Sequence, residues 1–362
     1  MSEYIVIGTI IAAFAVAAVL SYFFTPPVKN FAHKVGAIDV PKDARRMHKT
    51  PIPRLGGLAI YGGFLCSILI FGQLDETMLC VLLGAAIIVA LGIFDDVLAL
   101  GAKLKFVVQI VAAAIPVCIG DLQIGLFTNL NPLSDTPFVH LGILAVPATI
   151  IWIVGITNAV NLIDGLDGLA VGVSSIAAIT MLAVALLTGN MPIAITMAAL
   201  AGACIGFMPY NLNPAKIFMG DTGSTFLGYM LATVSIMGLF KFYAVISFAV
   251  PFLILGLPIF DTANAIIRRV AAGRSPMSPE RGHVHDKLID MGFNQKQAVA
   301  ILYAISATLG LTAVVLTSSG EVKAIVLLLA VLAAILVGAC IIYGAEHWSK
   351  HAPENKEDKD DE

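Results

Sequence analysis

The chain has 362 residues, of which 59% are hydrophobic and only 12% charged, with a net charge of −3. Soluble domains carry about 25% charged residues, and apolar stretches recur along nearly the whole length here, so a soluble enzyme is excluded and an all-α, polytopic integral membrane protein is expected. The alternation and turn spacing of a transmembrane barrel are absent, and the basic connections lack the interleaved aromatics of a nucleic-acid surface.

Runs near the ~20 residues that cross a bilayer as a helix fall at 5–24, 55–72, 79–94, 104–119, 141–157, 169–187, 192–209, 223–240, 243–267, 298–317 and 323–344. They make about eleven transmembrane helices. No basic region precedes the first, so it reads as a retained span and not a cleaved signal. All but Lys241 and Lys323 of the 21 Lys and Arg residues fall in connections on one side of this arrangement. The positive-inside rule then puts the amino terminus outside and the carboxy terminus in the cytoplasm. Residues 1–345 form one transmembrane domain, and 346–362, ending in PENKEDKDDE, an acidic tail of disordered composition. Gly120–His140, rich in Asn, Pro and Gly, is expected outside as a small hairpin. The five cysteines (Cys66, Cys80, Cys118, Cys204 and Cys340) have no metal-ligand spacing and read as small apolar residues.

The polar motifs collect on the side expected to be cytoplasmic. His48–Gly57, HKTPIPRLGG, spaces His48, Lys49 and Arg54 with prolines, and reads as a basic site contact or as a positive-inside anchor. Asp95 and Asp96 end the third span. Adjacent side chains on a helix diverge by about 100°, so both serve one site only near a fraying helix end. Such a pair binds a hard cation or divides cation binding from proton transfer; otherwise it merely faces water.

Asn158–Ala170, NAVNLIDGLDGLA, places Asn158, Asn161, Asp164 and Asp167 at three-residue intervals between two spans. A carboxylate at membrane depth costs about 2.5–3.5 kcal/mol on insertion scales, so this pair needs water, a cation or a function. Gly165 and Gly168 let the backbone leave the helix and a ligand approach. In FMGDTGS, Asp221 opens a helix whose N–H groups favour anions, and it could hold a magnesium ion bridging phosphates or act only as an N-cap. Asp261, three residues after Pro258, either faces the same site or pairs with Arg268. In MSPERGHVHDKL, Arg281, His283 and His285 suit contacts to a polyanion held opposite by the acids. Two histidines two apart do not share a helix face, so an irregular loop is expected there.

Together, HKTPIPRLGG, LGIFDD, NAVNLIDGLDGLA, FMGDTGSTFLG, PIFDT and SPERGHVHDKL resemble the polyprenyl-phosphate N-acetylhexosamine-1-phosphate transferases, from about Pro26 to Met291. Within that family the chain looks most like the branch that begins wall teichoic acid and enterobacterial common antigen synthesis. The resemblance implies transfer of GlcNAc-1-phosphate from UDP-GlcNAc to undecaprenyl phosphate at the cytoplasmic face of the plasma membrane, with Mg2+ required and Mn2+ as a substitute. It carries Asp95 and Asp96 over as the essential acidic pair, with Asp164 and His283 also catalytic. Asp221 and Asp164 would be metal ligands. His48, Lys49, Asn161, Asp167, Arg281 and His285 would contact substrate. Relatives often read HxHH, whereas Asp286 stands at the last position here. The implied partners are UDP-GlcNAc, undecaprenyl phosphate and membrane lipids, with no nucleic acid; whether chains pair as a homodimer is open. Another UDP-N-acetyl sugar or UDP-MurNAc-pentapeptide is the alternative donor. A secondary transporter or lipid flippase, the reading from a different class, expects inverted repeats and broken helices at the midplane, and neither shows in the sequence.

Overall fold

The structure, a computed structural model, describes residues 3–41, 50–128, 138–238, 246–275 and 282–318. Twelve α-helices run through them: α1 (Glu3–Val35), α2 (Gly57–Phe71), α3 (Glu76–Leu98), α4 (Ala102–Cys118), α5 (Ala145–Leu162), α6 (Leu169–Leu187), α7 (Met191–Asn211), α8 (Gly220–Gly238), α9 (Ile246–Ile254), α10 (Gly256–Ala271), α11 (Val284–Asp290) and α12 (Gln295–Ser318). Two short antiparallel pairs accompany them. β1 (Ile38–Asp39) pairs with β2 (Ile52–Pro53), and β3 (Leu126–Thr128) with β4 (Phe138–His140), the latter forming the hairpin expected in Gly120–His140.

Among the described residues six helices are long and apolar enough to cross a membrane: α1, α3, α5 with the turn before it, α6, α7 and α12. Hydrocarbon offers backbone N–H and C=O groups no partner, so such runs close their own hydrogen bonds as helices. Two expected boundaries change. α1 runs on past residue 24, through Pro26 and Pro27, to Val35. The span expected at 243–267 is broken into α9 and α10, which meet at Leu255. Pro251 and Pro258 each lack a ladder donor and crowd the preceding turn, so one straight helix cannot pass through both. The span expected at 323–344, Cys340 and the acidic tail lie outside the described residues.

Helix α8 sits at the centre, buried on nearly every side and packed on α3 and α5, with α2, α6 and α7 beyond. Its hydroxyls do not go unpaired there. Ser224 and Thr233 donate to the carbonyls of Gly220 and Tyr229 one turn back. Its first turn is clamped between α2 and α3. A Cβ on Gly57 would lie 2.1 Å from the Gly223 nitrogen, and one on Gly92 2.3 Å from the Thr222 Cα. Contacts of this closeness admit no side chain, and they fix where Asp221 stands.

The strand β2 and the residues after it brace the loop that leads into α8. Phe218 donates to the Pro53 carbonyl, while Gly56 and Gly57 donate to Phe218 and Met219. Arg54, the end of α3, the start of α4, the α5–α6 turn and the start of α8 therefore gather at one end of the bundle.

Candidate active site

Asp95 and Asp96 lie one turn inside the end of α3, which runs on to Leu98. Their side chains diverge as adjacent helical positions must: Asp96 bonds α8 directly, and Asp95 is linked to it through Lys105. Asp96 is buried and caps α8 from outside. Its Oδ1 accepts from the Asp221 N–H at 3.0 Å, and its Oδ2 from the Thr222 N–H at 3.0 Å and the Thr222 hydroxyl at 2.7 Å. A carboxylate on free N–H groups at a helix N-terminus is favoured by both hydrogen bonding and the helix dipole. Arg54 Nε approaches Asp96 Oδ1 at 3.4 Å. Gly220 makes this cap possible: its φ is +69°, and a Cβ there would fall 2.3 Å from Asp96 Oδ2.

Asp95 turns to the other side. Its Oδ1 accepts from the Leu100 N–H at 2.8 Å, and its Oδ2 lies 2.9 Å from Lys105 Nζ. The same ammonium is 2.9 Å from Asp221 Oδ2, so Lys105 bridges the two acids.

The Asn–Asp run divides its work. Asn158 donates to Gln109 Oε1 at 2.6 Å and Asn161 to Ser224 Oγ at 2.8 Å, pinning the end of α5 to α4 and α8. Asp167 uses Oδ2 to accept from Asn213 Nδ2 and from the Ala215 N–H, both at 3.0 Å, and so ties the α5–α6 turn to the α7–α8 loop. Asp164 differs. Its carboxyl has no hydrogen-bond partner among the described residues. Burial, followed by the charges of Asp221, Asp96 and Asp167 against Arg54, pushes it up to about 8.

From Gly282 on, where the histidine segment is described, it is not the irregular loop expected. His283 has an extended backbone (φ −63°, ψ 162°) and α11 starts immediately after it, which lets the His283 and His285 rings stack 5.6 Å apart and 5° from parallel. Asp286, at the departing position, accepts from the Gly282 and His283 N–H groups at 2.9 and 3.2 Å and holds this helix start. Asp261 pairs with His283: Oδ2 is 2.7 Å from Nδ1, and Oδ1 accepts from the Val284 N–H at 2.8 Å. His285 is buried, which holds its imidazole below the usual range. It also lies against Gly165, where a Cβ would be 2.2 Å from Nε2. The histidines therefore flank the Asp164 turn.

Asp95, Asp96, Asn161, Asp164, Asp167, Asp221, His283 and His285 are thus brought to one end of the bundle. His48, Lys49 and Arg281 lie outside the described residues. Two cations that are not among the expected site residues stand with the acids: Lys105, in sequence only one of the positive-inside charges, and Arg54, in sequence either a contact or an anchor. The signal lay in their positions, close after the acidic pair and just before the paired glycines.

The donor set fits a hard cation. Among the described residues no three His, Cys, Asp or Glu side chains could enclose a metal by themselves. Magnesium rarely asks for that: one or two carboxylates plus substrate phosphate oxygens is its usual set. Asp164, which has no hydrogen-bond partner among the described residues, and Asp221 could supply such a pair.

The family model for glycosyl transferase family 4 matches residues 78–239, which include the acidic pair, the Asn–Asp run and the start of α8. A probable undecaprenyl-phosphate N-acetylglucosaminyl 1-phosphate transferase of Bacillus subtilis is 42% identical over 311 residues, 86% of either chain. The chain belongs to glycosyl transferase family 4. Among other relatives, a decaprenyl-phosphate N-acetylglucosaminephosphotransferase of Mycobacterium tuberculosis is 36% identical, covering 79% of this chain and 77% of its own. A phospho-N-acetylmuramoyl-pentapeptide-transferase of Clostridium beijerinckii is 29% identical, covering 84% and 94%. This family 4 member is therefore a membrane-embedded phosphoglycosyl transferase.

Proposed function

We propose that this protein transfers GlcNAc-1-phosphate from UDP-GlcNAc to undecaprenyl phosphate, giving undecaprenyl-diphosphate-GlcNAc and UMP. It would do so at the cytoplasmic face of the plasma membrane, as the first membrane step of a cell-envelope polysaccharide. The observation that carries the proposal is the Asp164 carboxyl, with no hydrogen-bond partner among the described residues, set among Asp221, Asp96, Asp167 and Arg54 at one end of a lipid-facing bundle. The charge asymmetry of the connections supports the cytoplasmic assignment, and the relatives' names supply sugar and lipid.

A soluble diphosphate must meet a lipid phosphate whose chain stays in the bilayer, so the reaction needs a polar site at a bundle end. A lipid phosphate oxygen attacks the β-phosphorus. The bond from that phosphorus to the oxygen shared with the α-phosphate breaks, and UMP leaves with the electron pair. Asp95 takes the proton of the lipid phosphate where it carries one. Lys105 and Arg54 lie where cations stabilise phosphoryl oxygens, and His283 and His285 contact the diphosphate. Mg2+, held by Asp164 and Asp221, would supply neutralisation of charge on the diphosphate. Catalysis is then chiefly positioning and electrostatics.

The test is release of UMP from UDP-GlcNAc by purified protein in lipid with a polyprenyl phosphate, with and without Mg2+. UDP-MurNAc-pentapeptide and other UDP-N-acetyl sugars are run beside it. Mg2+-dependent UMP with UDP-GlcNAc supports the proposal. Preference for another donor replaces the sugar, and substrate uptake without UMP overturns the reaction.

A further inference from the structure

Asp261 and His283 are both buried, 3% and 7% exposed. A buried carboxylate is costly unless paired and hydrogen-bonded, and both oxygens of Asp261 are engaged. Oδ2 lies 2.7 Å from His283 Nδ1, and Oδ1 accepts from the Val284 N–H. A carboxylate only accepts, so His283 Nδ1 carries the proton in this contact. The ring nitrogen left for anything else is Nε2, which has no partner among the described residues. Two further contacts restrict the ring. The His285 ring lies parallel on one of its faces, and Asp286 fixes the backbone on which it stands.

We infer that Asp261 is a positioning residue: it locks His283 in the one orientation and tautomer that offers Nε2 to the substrate diphosphate. The inference rests on the reading of His283 as a diphosphate contact. Nε2 can meet a phosphoryl oxygen as the donor of an imidazolium, or accept a proton there as a neutral base. Either role needs Nδ1–H held elsewhere, and Asp261 holds it. Without the carboxylate the ring is free to turn over about its Cβ–Cγ bond or to move its proton to Nε2. The substrate then meets either the wrong nitrogen or the wrong tautomer.

The experiment is a double-mutant cycle of Asp261→Asn and His283→Ala in the UMP-release assay, with kcat and KM for UDP-GlcNAc measured separately. Asn can still accept from the Val284 N–H, so the start of α11 keeps its anchor, while its amide group faces Nδ1 as a donor. The expected result is a kcat loss of about tenfold or more in Asp261→Asn with KM changed less than about threefold. In the His283→Ala background, adding Asp261→Asn should cost less than about twofold, because residues acting as one unit are not additive. Melting of Asp261→Asn close to that of the wild type is also expected. Wild-type kcat in Asp261→Asn, losses that multiply in the double variant, or a melting point well below the wild type would each overturn the inference, the last two by showing that Asp261 serves the fold. Wild-type turnover is measured first, so failure of the reaction itself is distinguished from failure of the Asp261 assignment.

Discussion

Replacing Asp96 by Asn separates the two members of the acidic pair. The Asp96 carboxylate meets the Asp221 N–H on one oxygen and the Thr222 N–H and hydroxyl on the other. An amide has one oxygen. If that oxygen faces Thr222, the NH2 group points at the Asp221 N–H; if it faces Asp221, the Thr222 N–H loses its acceptor, since only the hydroxyl can rotate away. Either way one backbone donor at a buried helix start is left unsatisfied, a cost of about 1–3 kcal/mol. At about 2 °C per kcal/mol for a large domain, Asp96→Asn should melt roughly 4 °C lower and lose activity through displacement of Asp221. Asp95→Asn behaves differently. Asn keeps an acceptor for the Leu100 N–H, and the lost pair with Lys105 is partly open to solvent, worth about 1 kcal/mol or less. It should melt within about 2 °C of the wild type while kcat falls about 100-fold or more. The assay is thermal unfolding in detergent beside UMP release. An Asp96→Asn protein that melts like the wild type, with Asp95→Asn the destabilised one, would refute the reasoning.

Gly165→Ala should drive the His285 ring off the Asp164 turn and lower kcat about tenfold or more with little change in melting, whereas Gly155→Ala, where a Cβ meets nothing within 4 Å, should be neutral. Asp164 gives a pH signature in chelated, metal-free protein. Its folded carboxyl titrates near 8 and its unfolded one near 4, so its contribution to stability is complete below about pH 4 and lost as pH rises through about 8. Melting should therefore fall between about pH 5.5 and about pH 8.5, and Asp164→Asn should flatten that slope; an unchanged slope assigns it to another group. Lys105→Ala leaves Asp95 and Asp221 without their shared cation, so kcat should drop about 100-fold, and Mg2+ should raise the melting temperature more in this variant than in the wild type.

The amino-acid order by itself determined that this is a multi-spanning helical membrane protein. Apolar runs of span length have one stable form in hydrocarbon, and no distant contact is needed to specify it. It also singled out Asp164 and Asp167, because a carboxylate pair at membrane depth needs water, a cation or a function, and left Asp221 between a metal ligand and an N-cap. What each acid does was decided only by the tertiary structure. Asp95 and Asp96 are neighbours in the chain, yet one is bound to a lysine of α4 and the other caps a helix more than a hundred residues away. Asp167 looked equivalent to Asp164, and packing against the α7–α8 loop made it an anchor, while Asp164 has no hydrogen-bond partner among the described residues. Asp261 found His283, not Arg268, as its hydrogen-bond partner because the fold brings the start of α11 beside α10. Periodicity and transfer cost act locally and can be read from the order of residues. Hydrogen-bond partners are chosen by which helix ends the fold brings within 3 Å, and that requires the whole bundle.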